Sequence, residues 1–412
     1  MGATALVVRR GTPRIGARGT MEDRRMANQT SFLGYRRPKG PAATRNHLLV
    51  LSIVGLTAPA ARRIARSLPG SRLVAAAYGR GQLGGDAITY RRQLVGLGRN
   101  SNCGAVLVIG ADRKTADAVA TAISETGKPV EVVTMDGVHE DALALSDAGV
   151  RHGARLMHML SRQRREAVPV GDLVVGIECG HSDATSGLVA NPLAGAVADR
   201  LVDAGASAIV GETIEWLGAE HVLARRAAPG VAQAIVDAVM RREAAAAATG
   251  MDLLGNNPGQ ENIRGGLSTI EEKSLGAIAK AGSRTIQSLL ALAEPPTKPG
   301  LHVMDGPGFS PESLTGFAAA GAQLMMFTTG PGNSFCNALA PTLKISGHPE
   351  TASRLPEQID FDGSAVLAGI ESLDQAADRL FGLLLDVASG SATWGEILDE
   401  TDEVLVRLGP SF

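Results

Sequence analysis

Glu178, Cys179, His181, Ser182, Asp183, Thr185 and Ser186 stand close together in one polar stretch that runs on to Asn191-Pro192. These side chains supply carboxylates that move protons, a thiol and an imidazole that hold protons or metals, and hydroxyls that bind polar substrates. An apolar run, Leu173 to Ile177, comes just before, and helical apolar spacing from Leu188 to Leu201 comes just after. The stretch therefore reads as a loop leaving a strand's carboxyl end and entering a helix, the place where open α/β sheets bind ligands. The plainer reading is that Ser182, Asp183, Thr185 and Ser186 cap the helix. For any one of them the two readings weigh about equally; for the cluster as a whole a site is the better reading.

Further polar clusters follow later strand-like runs. After Ala208-Val210 come Glu212, Glu215 and Glu220, carboxylates suited to proton transfer or metal binding; a first helical turn also favours Glu. The loop from Asn256 to Gly266 is rich in Gly and Asn, so its backbone can approach an anion closely. Ser268 or Thr269 with Glu271 or Glu272 resembles a capping box opening a helix that carries Lys273 and Lys280 two turns apart. Met304 to Gly308 and Phe327 to Asn333 are strands ending in glycine turns, and Lys344 adds another cation. No phosphate-binding Walker loop, nucleophile elbow or two-histidine zinc motif is present, and Gly79 to Gly85 is a weak nucleotide signal. Acids, cations and glycine loops together fit elimination from a hydroxylated carboxylate: a base takes the proton beside the carboxylate, cations hold the resulting charge, and an acid helps the leaving group.

Such loops need a frame, and the chain supplies alternating strands and helices. Leu48-Val54, Val74-Ala77, Ala105-Gly110 and Val130-Met135 read as strands. Ala58-Ser67 (opened by Thr57), Asp86-Leu97, Thr115-Thr126 and Glu140-Arg164 read as helices between and after them. The expected fold is α/β: a Rossmann-like parallel-sheet domain over 31–165, then a second α/β domain over 170–412 that carries most of the site. The charged run Arg162 to Glu166, ending at Pro169, marks the boundary. In the second half, strands are expected at Leu173-Ile177, Ala208-Val210, Leu301-Asp305 and Leu324-Thr328, and a last helix over Trp394-Leu408. Residues 1–30, rich in Arg and Gly, read as a disordered extension or a misassigned start, Met21 and Met26 being alternative starts. Net charge is -2 and aromatics are 3%, which argues against nucleic acid as a partner. Three cysteines without paired spacing fit a reducing cytoplasm, and no apolar run is long enough to span a bilayer.

Glu178 to Gly187 with Asn191-Pro192 resembles a motif of the altronate/galactarate dehydratase family. So do Glu212-Thr213-Ile214-Glu215 with Gly218-Ala219-Glu220, and Asn257-Pro258-Gly259 with Gly265-Gly266-Leu267. Glu271 to Gly276, Lys280-Ala281-Gly282, Phe327 to Gly330, Gly34 to Arg37 and Arg45-Asn46 extend the likeness from Phe32 to Lys344 and beyond. The resemblance implies a cytoplasmic hydro-lyase acting on sugar acids with a divalent metal, iron(II) or manganese. It also implies a homo-oligomer and, because this chain starts too late to hold the family's small SAF-type domain, a separate small subunit. Relatives include a sulfo-lyase that eliminates sulfite from sulfolactate.

On that basis the catalytic candidates are Glu178, Asp183, Glu212, Glu215 and Lys273. Those for binding the carboxylate substrate are Arg45, Asn46, Ser182, Ser186, Asn257, Lys280, Thr328, Thr329 and Lys344, and those for metal are Cys179 and His181. The sequence departs from the family pattern where cysteines are common: those places hold Leu56, Arg80 and Ala111. His181 stands where glycine is usual and Pro331 where arginine is usual. Hence two alternatives stay open: sulfo-lyase chemistry on sulfolactate, and a non-catalytic sugar-acid-binding subunit.

Overall fold

Strand runs alternating with amphipathic helices produce two parallel sheets. The computed structural model describes residues 30–250 and 257–408; the expected N-terminal extension lies outside them but for Thr30, as does Asn256. A short antiparallel pair, β1 (Ser31–Gly34) with β6 (Glu166–Pro169), ties the start of the first half to the charged run that ends it.

The first sheet has the order β3-β2-β4-β5, from β2 (His47–Ser52), β3 (Arg72–Ala75), β4 (Cys103–Gly110) and β5 (Val130–Thr134), with every neighbouring pair parallel. Parallel strands need crossovers, and helices Ala58–Arg66, Gly84–Arg99 and Arg113–Ser124 make them, with Ala142–Leu160 after the last strand. β4 is buried along its whole length, as its unbroken apolar run requires.

The second sheet is larger, with the order β14-β13-β11-β7-β8-β10-β9. Its strands are β7 (Val174–Cys179), β8 (Ser207–Val210), β9 (Ile286–Ala291), β10 (Gly300–Asp305), β11 (Leu324–Thr328), β13 (Thr342–Ser346) and β14 (Phe361–Asp362), again parallel throughout. The strands β9 and β13 escape sequence reading because each mixes polar and apolar residues; Lys344 lies buried inside β13. The carboxyl ends of β7, β8 and β11 come side by side, Cys179 lying opposite Thr328. The polar loops of the second half therefore open along one edge.

Helix Gly84–Arg99 of the first half crosses helix Ser310–Ala319 of the second. A Cβ on Gly96 would lie 2.2 Å from the carbonyl oxygen of Ala319, so only glycine allows this approach. The apolar core runs through this junction, joining Leu49 and Val106 to Met325 and Phe327. One expectation is corrected. The helix over Trp394–Leu408 stops at Ile397, and the chain then forms β15 (Thr401–Asp402), which pairs with β12 (Cys336–Asn337). Its later residues have no regular secondary structure and reach the first half, where Val406 N donates to Gln93 Oε1 at 2.8 Å. That tertiary bond outweighs the weak helical spacing of the segment.

Candidate active site

β7 delivers Glu178 and Cys179 at its carboxyl end, and strand alternation turns them to opposite faces. β8 ends two residues before Glu212, whose backbone takes the left-handed conformation (φ 67°), costly for a residue with a Cβ. A tight 3₁₀ turn, Thr213–Trp216, follows. Its three-residue period places the side chains of Glu212 and Glu215 on one side, and Trp216 Nε1 anchors the turn by donating to Gly211 O at 3.1 Å. Helix Ile270–Ile278 and the turn Ala279–Ala281 after it bring Lys273 and Lys280 onto the same cluster from outside the sheet. Thr269 Oγ1 accepts from Glu272 N at 3.2 Å and Glu272 Oε2 accepts from Ser268 N at 2.8 Å, the expected capping arrangement.

Lys280 pairs with Glu212, both side chains being only 1% exposed, and its ammonium also lies 3.0 Å from Cys179 Sγ. Lys273 Nζ meets Glu215 Oε1 at 2.9 Å and Asn257 Oδ1 at 2.6 Å. The Cys179 thiol donates to Glu215 Oε2 at 3.1 Å. On the far side, Ser313 Oγ donates to Glu178 Oε2 at 2.8 Å, while Glu178 Oε1 has no ordinary donor. Burial, reinforced by the Glu212 carboxylate, pushes Glu178 well above the usual carboxyl range. A proton on Glu178 then supplies the missing hydrogen bond, to Glu212. Burial likewise pushes the Cys179 thiol up, as do Glu212 and Glu215. Burial opposes the charge on Glu215, but Lys273 and then Lys280 hold it below its ordinary value. Burial also opposes the charge on Lys280; the surrounding sulfur and carboxylates outweigh it and raise that group well above its ordinary value. Burial and the neighbouring Glu215 push Glu212 up as well, with Lys280 opposing them. Glu212 and Glu215 each face an ammonium, the close pairing under which buried charges are tolerated.

Beside this cluster lies a cavity of about 330 Å³ lined by Ser182, Asp183, Ser186, Asn191 and Lys273 among others. Lys273 touches both. Its side chain, 11% exposed, borders the cavity while its ammonium holds Glu215. Asn262 links the parts, donating to Ser182 O at 2.8 Å and facing Lys273 Nζ at 3.4 Å. Asp183 closes the loop above. Its Oδ1 accepts from Thr185 Oγ1 at 2.7 Å and Ser186 N at 3.0 Å, a capping pattern at the head of a π-helical turn. Gly330 packs against it so closely that a Cβ there would fall 2.2 Å from Asp183 Cγ.

The structure thus gathers Glu178, Cys179, Glu212, Glu215, Lys273, Lys280 and Asn257, with Ser182, Asp183 and Ser186 around the adjoining cavity. Thr328 lies at the edge, donating to Asn191 Oδ1 at 2.6 Å, and Thr329 Oγ1 accepts from Gly332 N at 3.2 Å. Other candidates are engaged elsewhere. Arg45 holds Glu396 through two bonds of 2.7 and 2.8 Å, and Asn46 Oδ1 accepts from Arg37. Lys344 donates to Asn333 O and lies over the Phe327 ring. His181 is exposed and faces Gly332 O at 3.0 Å. Ser313 and Asn262 were missed. Asn262 lay in a loop already singled out, whereas Ser313, in the first turn of a helix distant in sequence, carried no signal.

Among the described residues, Cys179, Glu212 and Glu215 form a group whose ligand atoms lie within 4.8 Å of one another. One sulfur and two carboxylate oxygens suit a divalent transition ion. Lys280 already leans on that sulfur and on Glu212 Oε2, so an ion enters only as the ammonium moves aside or gives up a proton.

Residues 170–411 match the family described as D-galactarate/Altronate dehydratase, C-terminal, and residues 34–161 match D-galactarate dehydratase/Altronate hydrolase, second domain. The chain belongs to the D-galactarate/altronate dehydratase family. Members similar to it include the (2R)-sulfolactate sulfo-lyase subunit beta of Chromohalobacter salexigens, 38% identical over 92% of this chain and 97% of that protein. The altronate dehydratase of Escherichia coli is 30% identical over 91% of this chain and 77% of its own length. The galactarate dehydratase (L-threo-forming) of the same organism is 32% identical over 73% of this chain and 57% of its own length. These relatives are lyases, and this family member is an enzyme of that class. No helix among the described residues is long and apolar enough to cross a membrane.

Proposed function

We propose that this chain is a hydro-lyase that removes water from a sugar acid of the altronate or galactarate kind, beginning with loss of the proton beside the carboxylate. The observation that carries this reading is Lys273, which borders a hydroxyl-lined cavity and clasps a buried carboxylate at the same time. In that cavity a substrate carboxylate meets Lys273, and Ser182 and Ser186 orient its hydroxyls, while Asn257 steadies the Lys273 ammonium. In this reading Glu215, next to Lys273, takes the proton, and Lys273 and Lys280 hold its charge beforehand. Glu178, kept protonated and braced by Ser313, stores the proton that Glu212 passes toward the leaving hydroxyl. Cys179, Glu212 and Glu215 are the residues that would hold a divalent ion, iron(II) or manganese. Such an ion supplies positive charge against the charge that develops as the proton leaves. Asp183 positions the loop rather than reacting. We further propose two domains, over 31–165 and 170–412, a cytoplasmic enzyme, and a small partner subunit in a larger assembly.

A second reading, favoured by the 38% identity to a sulfo-lyase subunit along nearly its whole length, is elimination of sulfite from sulfolactate. Both reactions take a proton from a carbon bearing a hydroxyl and a carboxylate, then expel a group from the next carbon. The first step needs the same residues in each, and the leaving-group side of the cavity decides between them. Purified protein, supplied with iron(II) or manganese and with a neighbouring small subunit, is assayed on a panel of aldonates, aldarates and sulfolactate. A 2-keto acid from a sugar acid supports the first reading, and sulfite release supports the second. Absence of both products with every metal defeats the enzyme assignment and leaves a sugar-acid-binding subunit, detectable as thermal stabilisation without turnover.

A further inference from the structure

At the opposite edge of the molecule lies a second cavity, of about 440 Å³, walled by Arg37, Lys39, Arg92, Arg99 and Lys128 with no carboxylate in its lining. It sits beside the helix crossing that joins the two sheets. Val174, at the amino end of β7, lines it, whereas Cys179 stands five residues on, roughly 17 Å away at the rise of a strand. Among the described residues, the acceptors around buried Lys128 and half-buried Arg37 are neutral. Lys128, 5% exposed, donates to Gly98 O at 3.0 Å and Asn100 O at 2.6 Å. Arg37 donates to Ser101 O at 2.6 Å, Asn46 Oδ1 at 2.9 Å, Gln163 Oε1 at 3.1 Å and Arg45 O at 2.9 Å. Arg92 reaches Leu292 O at 3.2 Å; among the described residues Arg99 is the one lining cation paired with a carboxylate, the exposed Glu125, at 3.2 Å.

Capping explains part of this. The carboxyl ends of helices Gly84–Arg99 and Ser310–Ala319 both abut the cavity, and each carries about half a negative charge. Those ends and Glu125 still leave an excess of about three positive charges around one cavity. Burial lowers Lys128 to about 8 and Arg37 to about 10, the mark of charges held without a counter-ion. Each also keeps a donor in hand, since an ammonium has three hydrogens and a guanidinium five. The apolar remainder of the wall, with Pro38, Pro41, Pro295 and Pro296, is stiff and suits a preformed pocket.

We infer that this cavity binds a small multivalent anion, phosphate-bearing or polycarboxylate, at a site separate from the catalytic cluster. Its charge completes the pairing of Lys128, Arg37 and Arg92, and because the ligand bridges the helix crossing it ties the two sheets together.

The test is calorimetric titration of the full chain at low ionic strength with pyrophosphate and, separately, citrate, on the natural protein and on Lys128→Gln, Arg92→Gln and Lys273→Met. The expected result is one saturable site for at least one probe. Its affinity falls about tenfold or more in Lys128→Gln and in Arg92→Gln and is unchanged in Lys273→Met. Binding of pyrophosphate alone identifies a phosphate ligand, and of citrate alone a polycarboxylate. The inference is overturned if neither probe saturates, if both cavity variants bind like the natural protein, or if binding vanishes in Lys273→Met. Should Lys128→Gln fail to fold, Arg92→Gln at the cavity wall decides the matter.

Discussion

Two clusters of cations in this protein solve the cost of burial differently. At the carboxyl edge of the seven-stranded sheet, Lys273 and Lys280 are matched by Glu215 and Glu212 within one sealed cluster. At the helix crossing, among the described residues, Lys128 and Arg37 donate to carbonyl and amide oxygens and to no carboxylate. Isolated charges are expensive in a protein interior, and pairing offsets that cost only when partners are close and otherwise satisfied. A matched cluster can keep protons and charges ready for chemistry. An unmatched one invites a counter-ion from solution.

The contrast is broken most sharply by deleting one cation from each region. Lys280→Met strands Glu212 without its partner and should cost about 3–5 kcal/mol of stability, read by denaturant unfolding, with turnover lost. Lys128→Met removes an uncompensated charge, and the lost hydrogen bonds should cost only about 1 kcal/mol. Equal losses in the two variants would contradict the assignment of matched and unmatched charge. Next in size is Lys273→Met. It should lower kcat/KM by about 10²–10⁴, with KM rising for carboxylate substrates, while anion binding at the helix crossing is untouched.

Within the matched cluster, pH separates two carboxyls of opposite sign. Glu178 is raised in the folded state, so its contribution is present below its unfolded value of about 4.5 and fades as pH climbs through the raised value. Glu178→Gln mimics the protonated form and should flatten that decline at a cost below about 1 kcal/mol near neutrality. Glu215 is lowered, so its contribution is present above its unfolded value and disappears as pH falls through the lowered one. Glu215→Gln should erase that acid limb and destabilise near neutrality. Urea melts from pH 3 to 9 test both; a Glu178→Gln curve as steep as the natural one would show that the buried proton is elsewhere. A similarly small effect is expected of Asp183→Ala, about 1 kcal/mol for a lost cap, with KM altered more than kcat because the loop borders the cavity.

Much of this was legible in the chain. The first-half strands and helices were placed within a few residues because apolar runs and helical periods there are unbroken, as in Cys103–Gly110. The stretch from Glu178 to Ser186, the pair Glu212 and Glu215, and Lys273 with Lys280 are legible as clusters of acids after strand ends and cations on the helix that follows a glycine loop, although each residue alone also has a capping explanation. Arg45 was singled out with equal reason, yet Glu396, 351 residues away, takes its guanidinium. Spacing predicts a C-terminal helix, but the pairing of Thr401–Asp402 with Cys336–Asn337 and the bond of Val406 to Gln93 hold that segment out of a helix.

By itself, then, the order of residue types determined the α/β alternation, the family likeness and the residues able to move a proton, since these depend on local period and on chemistry that travels with each side chain. Folding alone decided which charges face each other. Whether Lys280 neutralises Glu212, whether Ser313 braces Glu178, and whether Lys128 is left without a carboxylate all depend on contacts across long stretches of chain. Charge interactions inside a protein act over a few ångströms of space, and sequence distance does not report them.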